Sequence, residues 1–66
     1  MNDADVWRVA KEMIEQYGAE ARERARARAE KLREYGIAGG YEEWMRVADA
    51  IADLDRKTPD DDEKVN

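Results

Sequence analysis

Four glycines and one proline do most to constrain how this chain folds. Gly18, Gly36, the pair Gly39-Gly40 and Pro59 cut it into three segments, each of helical length. Between these breaks Ala, Glu, Arg, Lys and Met dominate, all of them strong helix formers. No stretch alternates apolar and polar residues with a period of two. The expected class is therefore all-α. The first helix is predicted over about residues 5–17, with Asn2, Asp3 and Asp5 giving an N-cap and negative charge at the positive end of the dipole. Gly18 stands where a helix C-terminus takes a left-handed residue. The second helix is predicted over about 19–35, ending at Gly36. The third is predicted over about 41–57, with Glu42 and Glu43 in its first turn and Arg56 and Lys57 in its last, before Thr58-Pro59.

Short connections make consecutive helices antiparallel neighbours, so residues 1–57 are expected to form a small antiparallel three-helix bundle. Residues 58–66, with Asp60-Asp61-Asp62-Glu63, are expected to be a disordered acidic tail. On the second helix Ala21, Ala25, Ala29 and Leu32 share one face, and small residues there let neighbouring helices approach closely. The apolar arc of the first helix holds Val6, Trp7, Ala10, Met13, Ile14 and Tyr17, with Val9 on its rim. That of the third holds Trp44, Val47, Ala48, Ile51 and Leu54, widened by Tyr41, Met45 and Ala52. Both arcs are wider than the ~100° that a surface helix usually buries. The surplus, Val6, Val9 and Met13 on one helix or Tyr41, Met45 and Ala52 on the other, either caps the small core from its edges or is the contact surface for a protein partner or a second copy.

Charge sets the middle segment apart. The chain of 66 residues carries a net charge of −5, yet residues 19–36 hold six basic and four acidic side chains. Arg22, Arg26 and Arg33 flank the alanine stripe on one side, and Arg24, Arg28 and Lys31 on the other, while Glu23, Glu30 and Glu34 face outward. The expectation is that these arginines lay their stems along the stripe and pair with acids on the adjacent helices. Nucleic-acid binding through Arg24, Arg28 and Lys31 is the alternative, opposed by the outward glutamates and the net charge.

Catalysis has little to build on. The chain has no Cys, His, Ser or Phe, and Thr58 is its one threonine, which excludes disulfides, Cys/His zinc sites and Ser-His or Cys-His nucleophiles. A domain this small offers little interior for an acid–base cleft. Asp49 and Asp53, one turn apart, would give a divalent cation only a weak contact. No enzyme activity, cofactor or structural metal is expected. With no long apolar run and no signal-peptide pattern, no membrane association is expected and the cytoplasm is the default location.

The spacing of Trp7, Ala10, Ile14 and Tyr17-Gly18, then Ala29, Leu32, Gly36, Gly40, Trp44, Val47, Ala50-Ile51 and Leu54, resembles a family of short helical proteobacterial proteins grouped as a domain of unknown function. The likeness covers roughly residues 6–55, and it departs from the family at Ile37, where an acidic residue commonly follows the glycine. It implies a bacterial or phage source and brings no catalytic residues with it. The expected function is a non-catalytic protein-interaction module, in its sharpest form a small phage or mobile-element inhibitor of the anti-CRISPR kind that acts by occupancy. Asp49, Asp53 and the acidic tail would then compete for a nucleic-acid groove on the target. A purely structural homodimer is a further alternative.

Overall fold

The computed structural model describes the backbone of residues 1–64 and the side chains of residues 1–56. Those residues are all-α. Helix α1 spans Asp3–Tyr17, a 3-10 turn spans Gly18–Glu20, α2 spans Ala21–Glu34 and α3 spans Ala38–Lys64. None of these helices is long and apolar enough to cross a membrane.

Asn2 caps α1 as its sequence position predicts: its side-chain oxygen accepts from the Asp5 N–H at 2.8 Å. The break at Gly18 differs from the expected loop. Gly18 takes φ 57° and ψ −125°, a backbone that side-chain-bearing residues avoid, and its N–H returns to the Ile14 carbonyl. The Gly18 carbonyl then accepts from Ala21, so the chain turns through a single 3-10 turn and α2 begins two residues later than predicted. The helical backbone therefore falls into two stretches, Asp3–Glu34 bent at Gly18, and Ala38–Lys64.

The end of α2 is a Schellman motif. Gly36 sits at φ 81°, its N–H bonds to the Arg33 carbonyl at 3.0 Å, and the Ile37 N–H reaches back to the Leu32 carbonyl at 2.9 Å. The Ile37 carbonyl at once accepts from the Tyr41 N–H, at 3.1 Å, and this bond starts α3. Gly39 and Gly40 are thus the opening turn of a helix rather than the linker that their sequence suggests. Glu42 and Glu43 consequently fall in the second turn. Gly40 is favoured by proximity: a β-carbon there would stand 2.9 Å from Leu32 Cδ1 and 3.3 Å from Ile37 Cγ2, so those side chains would have to shift. The bounds of α3 also run past Lys57, the end that Thr58-Pro59 predicts, since a proline strains a helix interior without forbidding it. The disordered tail expected over residues 58–66 lies outside the residues described with side chains.

The core is small-bodied and wholly apolar. Ala21, Ala25 and Ala29 have no exposure at all, and the first two cluster with Val6, Ala10, Val47, Ala48, Ala50 and Ile51. Of the bulky residues among those described, only Ile51 and Val47 are fully buried. Trp7, Tyr17 and Ile37 stay 38% to 49% exposed. The alanine face explains this: helices that approach across methyl groups leave no width for indole or phenol rings, which move out to the seams. Leu32, Trp44, Met13, Ile14 and Leu54 line those seams, half-buried.

Candidate functional site

The arginines of α2 do not form the pairs expected of them. Arg24 pairs with Glu20 at 3.4 Å and Arg33 with Glu30 at 3.0 Å, both contacts local to the α2 region and largely exposed. Among the described residues no α2 arginine pairs with an acid of α1 or α3. Ion pairs between α1 and α3 exist, Arg46 with Asp3 and the Met1 amino group with Glu43, each at 2.8 Å. The α2 arginines reach their neighbours through rings instead. The Arg24 guanidinium lies 4.7 Å from the Tyr17 ring centroid, that of Arg28 lies 5.0 Å from Trp44, and that of Arg33 lies 5.8 Å from Tyr41. Guanidinium is planar and weakly hydrated, so it stacks on an aromatic face while its N–H edges stay available.

One flank of α2 turns this into a site. Arg24, Arg28 and Lys31 follow one another at spacings of four and three, and Tyr35 continues the line at the helix end. With Tyr17 from α1 and Trp44 from α3 they border an open groove of about 730 Å³. None of the described residues lining it is acidic. In a chain of net charge −5, Arg28 and Lys31 stand here without an acidic partner among the described residues, while Arg24 is paired with Glu20. Tyr35 is 71% exposed, the most of any large hydrophobic residue among those described. On the other flank Arg22 and Arg26 border a shallower hollow of about 440 Å³, where Glu23 offsets their charge.

No family model matches the chain, and no curated protein or solved structure is similar to it.

The other predicted contact residues are scattered. Val6 is 5% exposed and belongs to the core, which removes it from any free surface. Val9 packs half-buried against that core, as does Met13, which also lines the groove. Tyr41, Met45 and Ala52 are half-buried on α3, where Tyr41 carries Arg33. Asp49 is exposed, and Asp53 is bound by Arg56. Among the described residues no three acidic groups gather to hold a metal ion. The sequence pattern points to Arg24, Arg28 and Lys31 but not to the rings that Arg24 and Arg28 cover. Tyr17 and Tyr35 had a signal, since each precedes a helix-ending glycine and so lies at a helix end.

Proposed function

We propose that the chain is a non-catalytic interaction module that takes an anionic partner in the groove of Arg24, Arg28 and Lys31. A single observation carries this reading: three cations and three aromatic rings converge there with no carboxylate among the described lining residues, in a protein that is acidic overall. Charges left without an opposite partner on a surface are sites where potential steers and holds a ligand of the other sign. Arg28 and Lys31 have no acidic partner among the described residues, and the outward Glu30 is taken by Arg33.

The scaffold of this reading is the antiparallel three-helix bundle. Its support is the pairing order. Leu32 meets Gly40 and Arg28 meets Trp44, so α2 and α3 run in opposite directions, while Met1 with Glu43 and Asp3 with Arg46 bring the start of α1 to the early turns of α3. The Tyr41, Met45 and Ala52 face of α3 is the second candidate surface, half-buried and without a comparable concentration of charge.

Retention on an immobilised polyanion tests the proposal. The wild-type chain is expected to bind heparin at low salt in spite of its net charge, and Arg28→Glu with Lys31→Glu is expected to flow through with unchanged helicity by circular dichroism. Failure of the wild-type chain to bind, or equal retention of the double variant, would overturn the groove as the working surface.

A further inference from the structure

The geometry points to a single-stranded nucleic acid as the occupant of the groove, an inference that rests on the groove being the working surface. Two properties of the lining act together. Arg28 and Lys31, with Arg24 beside Glu20, offer three cations along one line of α2; Arg24 and Lys31 are seven residues apart, about 10 Å at the rise of an α-helix. Each cation of that line can meet a phosphate of a strand whose bases are splayed toward the rings. Rings stand beside the same cations: Tyr35 free at the end of α2, Tyr17 and Trp44 under the guanidinium planes. Unstacked bases bind by stacking on aromatic rings or on arginine planes, while arginine edges hold phosphate.

An acidic peptide is the rival occupant. Its carboxylates would satisfy the cations and leave the exposed Tyr35 ring without a planar partner, whereas a strand that carries bases uses both. A duplex keeps its base faces stacked inside and offers phosphates and base edges, so it too leaves the exposed face of Tyr35 without a stacking partner. The net charge of −5 does not decide against the strand. Surface charges more than about 8 Å away are largely screened at physiological ionic strength, and no acid lines the groove among the described residues.

Fluorescence anisotropy of a labelled eight-nucleotide single strand, as RNA and as DNA, tests this on the full chain, with the matching duplex and a glutamate-rich peptide as competing arms. The single strand is expected to bind at least tenfold more tightly than the duplex. With three phosphate contacts at about 0.7 per contact, the log–log salt slope is expected near −2, about a tenfold loss for a threefold rise in salt. Tyr35→Ala, at a side chain too exposed to be needed for folding, is expected to weaken binding about fivefold or more, the lower end of what one lost base stack gives. In a Trp7→Phe background the remaining Trp44 emission should be quenched by the strand and not by the peptide. Peptide binding that Arg28→Glu abolishes, with no strand binding, would overturn the inference and keep the groove. Duplex binding as tight as the single strand, or strand binding indifferent to Tyr35→Ala, would overturn it as well. If heparin, strand and peptide all fail to bind, the groove itself falls.

Discussion

The guanidinium of Arg28 lies over the ring of Trp44 at 5.0 Å and ties the middle of α2 to the early turns of α3. It is a contact between helices made by a charged residue without an ion pair. An exposed stack of this kind contributes about 0.5–1 kcal/mol. Arg28→Ala is expected to lower unfolding stability by that amount, and Arg28→Lys to lose part of it while keeping the charge. A double-mutant cycle with Trp44→Leu, read by urea titration, checks the coupling. Additive effects would place the stabilisation elsewhere.

The alanine face of α2 permits no growth. Ala25 has no exposure, and adding a branched side chain there forces the helices apart. Ala25→Leu is expected to cost about 1–3 kcal/mol, the usual range for overpacking. Ala27 is two residues away, exposed and on the groove wall. Ala27→Leu should leave stability within about 0.5 kcal/mol, as surface changes do, while narrowing the groove. Thermal melts of both variants separate the two effects.

The glycines divide into three kinds. Gly39 is helical with nothing within 4 Å of a β-carbon, so Gly39→Ala is expected to stabilise by up to about 1 kcal/mol. Gly40→Ala should forfeit that gain against Leu32 and Ile37, and Gly40→Val should destabilise outright. Gly36 at φ 81° has open space but a left-handed backbone, so Gly36→Ala is expected to cost about 1–2 kcal/mol. Denaturant midpoints for the set give the order directly.

Asp5 gives an expected pH effect. Arg8 donates to its carboxylate at 3.0 Å and holds its pKa below the usual aspartate value. A depressed folded-state pKa contributes stability above the unfolded value, and that contribution disappears as pH falls through the folded one. The Asp5 carboxyl should therefore titrate below a free aspartate by NMR, and Arg8→Ala should move it upward. An unmoved titration in the variant would assign the shift to another group.

Much of the architecture was legible in the residues because backbone chemistry is local. Gly18 and Gly36 end helices as their spacing predicts, and the Ala21, Ala25 and Ala29 stripe is buried without remainder. What misled was tertiary. Gly39-Gly40 reads as a linker until Leu32 is seen resting where a side chain would go. Val6 reads as surplus on a wide arc until it is seen buried in the core cluster. The arginines read as ion-pair partners because sequence shows the sign of a charge on a neighbouring helix and not its reach. Tyr17 and Trp44 were in range of those arginines, and the acids were not. The groove was half visible for the same reason: its cations share one helix and follow a period, while its rings come from three.

The three fully buried alanines of α2 act at a distance from anything they touch. Each is one methyl thick, and together they gauge how near α2 lies to its neighbours. Arg24, Arg28 and Lys31 are fixed to the same cylinder, so that spacing also fixes how far the cations stand from Tyr17 and Trp44. A lineage drifting from alanine to serine or valine on the hidden side would retune the visible one, with no exposed residue changed. The aperture of the groove is thereby inherited through the core.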